Sequence, residues 1–259
     1  MDTPLLSVVV PCYNESENLR SGVLEQMREY LQNRPYSYEV IVSDDGSGDD
    51  SRELVRQRAG AWPEFRLQEN PHRGKPWAVW SGILAARGEI VLFTDMDQST
   101  PIDQLSRLWP YLDQGYDVVI GSRGRERANF SWYRRLGSTI FLTLRRLLLL
   151  PNIRDTQCGF KAMRRSVALE LFPRLEAIRR AGPAKGWKVT AFDVELLFLA
   201  ERAGYRIAEV QVEWADRDLA LGKGKSYLAE SKEMAMQICR VKLNAWRGFY
   251  DRSVTDQEC

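Results

Sequence analysis

Short apolar runs recur through the first 120 positions, and each is cut off by residues that strands reject. Leu5 to Val10 stops at Pro11, Tyr38 to Ser43 at Asp44-Asp45-Gly46-Ser47-Gly48-Asp49, and Ile90 to Phe93 just before Asp95-Met96-Asp97. Shorter runs lie at 65–68 and 117–120. Helical patterns fill the gaps at 16–32, 51–58, 74–87 and 101–114, with Pro76 in a first turn, where its missing N–H is tolerated. Strands alternating with helices predict an α/β fold with a mostly parallel sheet and right-handed crossovers. Ligands of such sheets bind beyond the carboxyl ends of the strands. Pro11 to Tyr13, Asp44-Asp45 and Asp95 to Asp97 all stand at such ends, so three strand tips are expected to converge on one crevice.

The pattern changes after residue 120. From Gly121 to Arg154 eight arginines stand against one acid, Glu126, interleaved with Phe130, Trp132, Tyr133 and the apolar stretch Ile140 to Leu150. Such a mixture fits an interfacial segment on an anionic membrane; a core helix with arginines at its edge is the competing reading. A helix is expected from Phe192 to Ala203, a strand from Ile207 to Val212, a Gly-Lys loop from Asp216 to Lys225, and an amphipathic helix from Tyr227 to Trp246. The expected organisation is a catalytic domain over 1–225, its 120–154 segment facing acceptor and membrane, then a C-terminal helix and tail over 226–259.

A net charge of +2 on 259 residues gives no global field that would select nucleic acid. Cys12, Cys158, Cys239 and Cys259 are far apart and form no zinc or disulfide pattern, which fits a reducing cytoplasm. The start, Met1-Asp2-Thr3-Pro4, lacks the basic region and apolar core of a secretory signal. Ile140 to Leu150 is interrupted by Arg145 and Arg146 and falls short of the ~20 residues that span a bilayer.

Asp95 and Asp97, one residue apart at a buried strand tip, offer hard oxygen ligands to Mg²⁺ or Mn²⁺. A cation there would neutralise charge on a departing diphosphate. A plain turn ahead of the helix near Pro101 is the alternative. Asp44 and Asp45 either accept from a nucleobase or cap the following helix, and Asn14-Glu15 reads equally well as a helix entry. His72, the lone histidine, lies in a loop and is expected to face solvent.

With these residues assembled, the chain resembles a family 2 glycosyltransferase of the Rossmann-like GT-A fold. The matching motifs are Val10-Pro11-Cys12-Tyr13-Asn14-Glu15, Ser43-Asp44-Asp45-Gly46-Ser47, Asn70 with Arg73-Gly74-Lys75, Gly88-Glu89, Asp95-Met96-Asp97 and Gly121-Ser122-Arg123. Ile153 to Lys161, Phe192 to Leu197 and Glu209 to Trp214 narrow the resemblance to the dolichyl-phosphate glucosyltransferases. The related mannosyl enzymes share the layout but differ around Gly159, and they place a glutamine where this chain has Ser99. The N-terminal membrane anchor of eukaryotic glucosyl enzymes is not expected from Met1-Asp2-Thr3-Pro4.

The resemblance implies an inverting hexosyl transfer from a nucleotide sugar to a polyprenyl monophosphate at the cytoplasmic face of a membrane. UDP-glucose is the expected donor and GDP-mannose the alternative. It places Pro11, Tyr13, Glu15, Asp45, Lys75, Asp95 and Met96 around the nucleotide sugar, and Asp97, Asp95 and Gln98 at the metal. Arg123 is the expected grip on the acceptor phosphate, because a guanidinium fork matches phosphate oxygens; Arg134, Arg135, Arg217 and Ser226 are further candidates. Relatives acting on sugar hydroxyls use a carboxylate near Asp193 as general base. A lipid phosphate is already ionised, so with that acceptor Asp193 is expected to orient rather than to abstract a proton. A soluble hydroxyl acceptor, with Asp193 as base, and a non-catalytic binding protein are the remaining alternatives.

Overall fold

The computed structural model describes residues 3–124, 149–180, 182, 192–215, 217 and 227–251, with side chains from 236 onward in the last segment. Seven strands form one sheet in the order β3-β2-β1-β4-β6-β5-β7. They are β1 (Leu6–Cys12), β2 (Tyr38–Asp44), β3 (Phe65–Glu69), β4 (Ile90–Phe93), β5 (Val118–Ser122), β6 (Lys161–Arg164) and β7 (Ile207–Gln211). All neighbours pair in parallel except β6, which runs against both β4 and β5.

Alternation along the strands divides the interior into two cores, one on each face. Val9, Ile41, Val91, Phe93 and Ile120 face one, with Val79 and Ile83 of α4 (Lys75–Ala85) and Val167 and Leu171 of α6 (Arg165–Leu171). Val8, Val10, Val40, Val42 and Leu92 face the other, with Leu24, Met27 and Leu31 of α2 (Val23–Gln32) and Leu105, Leu108 and Leu112 of α5 (Leu105–Asp113). Each such side chain contributes about 1.5–3 kcal/mol by leaving water.

The helix expected at 16–32 is two helices, α1 (Ser16–Arg20) and α2, parted at Gly22. Gly22 has φ +87°, a left-handed turn that breaks the hydrogen-bond ladder. Among the described residues the remaining α-helices are α3 (Ser51–Ala61), α7 (Glu176–Arg179), α8 (Phe192–Arg202) and α9 (Tyr227–Trp246). No helix among the described residues is long and apolar enough to cross a membrane. The Ile140 to Leu150 stretch lies mostly outside the described residues. Its last two, Leu149 and Leu150, are buried in the first core.

Strand direction matters for function. The carboxyl ends of β1, β2, β4 and β5 share one edge of the sheet. Because β6 runs the other way, its first residue lies at that same edge, with Lys161 opposite both Phe93 and Ile120.

Candidate active site

Thr94 to Ser99 leave β4 as a tight loop. Asp97 Oδ1 accepts from Ser99 N at 2.8 Å, which fixes the turn while Asp97 stays partly exposed. Asp95 pairs with Lys75 Nζ, at the start of α4. Burial works against the charge of Lys75, but the carboxylates of Asp95, Asp193 and Asp97 outweigh it and hold the ammonium above its ordinary range. Lys161 is fully buried; its Nζ donates to Asp193 Oδ1 at 2.6 Å and to Cys158 O. Two lysines and three carboxylates therefore share the crevice at the strand ends.

Gly159 packs directly on Asp95: a Cβ at this position would overlap the Asp95 carboxylate. Only glycine lets the Asp155-to-Lys161 segment pass this close. The segment is braced at its start. Asp155 accepts from Arg123 Nε at 2.7 Å, Nη2 at 2.9 Å and the backbone N at 3.0 Å. Burial opposes the charge of Asp155, yet these bonds hold its carboxyl well below the usual carboxylate range. Trp214, which is exposed, lies with its ring 5.6 Å from the Arg123 guanidinium, and Ala215 N donates to Ser99 O at 2.9 Å.

Several sequence expectations change here. The fork of Arg123, expected on an acceptor phosphate, is spent on Asp155. Gln98, expected at the metal, is buried; its Nε2 donates to Asp95 O at 2.8 Å and to Thr94 Oγ1 at 3.3 Å. It also borders a cavity of about 370 Å³ beside α2. The Met96 side chain is buried in the second core, which leaves only its main chain for a nucleotide. Glu15 Oε2 accepts from Asn18 at 2.6 Å, and Glu15 N donates to Ser51 at 2.8 Å, where the chain enters α1. Asp44 takes the turn role, accepting from Gly46 N, Ser47 N and Arg52.

Asp45 is buried and holds the neighbouring loop, accepting from Arg73 N and Gly74 N at 2.8 Å and meeting His72 Nδ1 at 2.8 Å. His72 does not face solvent. Its ring stacks on Tyr13 at 4.2 Å with a 7° tilt. Pro11 and Tyr13 stand at the end of β1, beside this stack. Arg217 is exposed, and Arg134, Arg135 and Ser226 lie outside the described residues. Lys161, Asp155 and His72 escaped the sequence reading, since their partners are 27 to 32 residues away and leave no local pattern.

Among the described residues no group of three acidic, histidine or cysteine side chains could by itself hold a metal ion. Asp95 and Asp97 supply two hard oxygen donors, so further ligands for Mg²⁺ or Mn²⁺ must come from elsewhere, as diphosphate oxygens and water do. The pair fits a cation bound together with its nucleotide.

A doubly covered, mostly parallel sheet with paired carboxylates and lysines at its strand ends defines a GT-A nucleotide-sugar transferase. The solved structures that resemble it share that fold. Glucosyl-3-phosphoglycerate synthase from Mycobacterium tuberculosis, crystallised with Mn²⁺, UDP and glucosyl-3-phosphoglycerate, superposes with TM-score 0.60 at 22% identity over 93% of this chain and 79% of that one. A mannosyltransferase from Pyrobaculum calidifontis, solved with GDP-mannose and Mn²⁺, gives 0.55 at 20% identity over 98% and 78%. The profile of glycosyl transferase family 2 matches residues 7–172, and the chain belongs to that family. It is a hexosyltransferase. Its curated relatives include the dolichyl-phosphate beta-glucosyltransferases of Drosophila melanogaster, 35% identical over 93% of this chain and 77% of that protein, and of Homo sapiens, 33% identical over 95% and 78%.

Proposed function

We propose that this chain transfers glucose from UDP-glucose to a polyprenyl, dolichyl-type monophosphate with inversion at the anomeric carbon. The carrying observation is the contact of Gly159 with Asp95: the segment that resembles the glucosyl enzymes bears on the carboxylate we assign to the donor. Tyr13 and Pro11 would flank the base. Lys75 anchors Asp95 and adds positive charge near the diphosphate. Asp97, with Asp95, would hold Mg²⁺ or Mn²⁺, which supplies Lewis-acid stabilisation of charge on the leaving group. An oxygen of the lipid phosphate forms the new bond to C1 while the C1–O bond to UDP breaks, and UDP departs with the electron pair. No proton moves, because the nucleophile is already ionised.

Asp193 fits an orienting part, since Lys161 grips one of its oxygens from below. The hydroxyl-acceptor alternative needs that carboxylate turned towards a substrate O–H. Arg123 would act on the acceptor through Asp155 and Trp214, and Arg134, Arg135, Arg217 and Ser226 are proposed for the phosphate itself. The site of action is the cytoplasmic face of a membrane. Transfer from radiolabelled UDP-glucose and GDP-mannose to polyprenyl phosphate, with and without EDTA, tests the reading. Glucose transfer that chelation abolishes is expected. Mannose transfer alone would move the donor assignment, and no transfer from either donor would remove the function.

A further inference from the structure

Helix α9 has two distinct sides over its described side chains. Ile238, Val241 and Asn244 turn inward; the first two join the core, and Asn244 Nδ2 donates to Glu176 at 2.8 Å. The outward side carries Met236, Cys239, Leu243 and Trp246, all exposed, with Trp246 at 85%. At 3.6 residues per turn these four fall within about 80° of one another around the axis. Arg240 and Arg247 flank the strip on one side and Lys242 on the other, all exposed. No acidic residue occurs from 236 to 250, and among the described side chains Arg240 meets Glu176 at 3.9 Å.

An apolar ridge with a nearly naked tryptophan, bordered on both sides by cations, suits a helix lying in a lipid interface. Anionic headgroups complement the cations, each worth about 1 kcal/mol near such a surface. We propose that this face of α9 docks on an anionic lipid surface. Trp246, Leu243 and Met236 enter the headgroup–acyl boundary, and Arg240, Lys242 and Arg247 meet lipid phosphates. The docking deepens the lipid-acceptor reading above, yet it is tested on vesicles that contain no acceptor, so either idea can fail alone.

The test is flotation of the full chain with phosphatidylcholine vesicles, with and without phosphatidylglycerol. The chain is expected to float with the anionic vesicles at low salt and to be released as salt rises. Trp246→Ser should lower the partition coefficient roughly tenfold. Lys242→Gln with Arg247→Gln should lower it on the order of twenty-five-fold, about fivefold per charge. All three positions are exposed, so both variants should keep the wild-type melting temperature. Absence of flotation by the wild type, or equal flotation of the variants, overturns the proposal. So does Trp246→Ser splitting a dimer in light scattering while flotation is unchanged, which would assign the face to a second copy of the chain.

Discussion

Gly159 carries the tightest constraint on any single residue of the site. Gly159→Ala should cost about 1–3 kcal/mol of stability by overpacking and should lower kcat roughly a hundredfold, because Asp95 must move. A thermal melt and single-turnover kinetics read the two effects separately, and an unchanged kcat would show that Asp95 does not need its present place. Asp97→Asn should lower activity at least about a hundredfold and weaken the Mn²⁺ dependence of UDP binding in calorimetry. The Asp95–Asp97 pair was legible in the sequence because carboxylates one residue apart leave a local motif. The Asp155-to-Lys161 segment was legible only as a family likeness. Its contact with Asp95 joins positions 64 residues apart, which no local pattern encodes.

At the scale of elements, the brace between Arg123 and Asp155 joins the end of β5 to the segment leading into β6. Arg123→Ala would leave the Asp155 carboxylate largely buried without its cation and should destabilise the protein by about 3–5 kcal/mol in urea unfolding. Arg123→Lys should recover little, since a lysine cannot span both oxygens. A cost near zero would return Arg123 to the purely acceptor-binding part that the sequence implied. Most of the strands and helices were readable from period and punctuation. The strand β6 was not: Lys161-Ala162-Met163-Arg164 is too short and too polar at its ends to announce a strand, and it exists because β4 and β5 offer it two edges at once. The split of the first helix was hidden as well, since Gly22 inside a helical pattern reads as tolerated until its φ is known.

Across the whole molecule, two carboxyls tilt the pH dependence of stability in opposite senses. Glu195, at the back of α8, is buried and accepts from Tyr250 OH at 2.7 Å and Glu176 N at 2.9 Å. Burial pushes its pKa up to about 7, against the effect of these two bonds. The folded state thus holds a proton that the unfolded chain releases near pH 4.3. That contribution is complete below about pH 4.3 and disappears as pH climbs through about 7. Glu195→Gln keeps an oxygen for both donors, so its melting temperature should match the wild type at pH 4 and exceed it at pH 8. Asp155 behaves in the reverse way. Its depressed pKa adds stability above the ordinary aspartate value near 3.9, and that stability is lost as pH falls further. The gap between wild type and Asp155→Asn should therefore close in acid. Equal pH profiles for wild type and Glu195→Gln would show that Glu195 stays ionised in the fold.

The opposed direction of β6 has an outcome beyond its hydrogen bonds. The polypeptide departs from the sheet at Arg123 and comes back at Asp155, and the two are laced together where they meet. Glu209 of β7 fastens the return by accepting from the amides of residues 154 and 155. Positions 123 and 155 are thus tied to each other at the rim of the sheet. A change of length between those two positions should therefore leave the register of β5 against β6 intact.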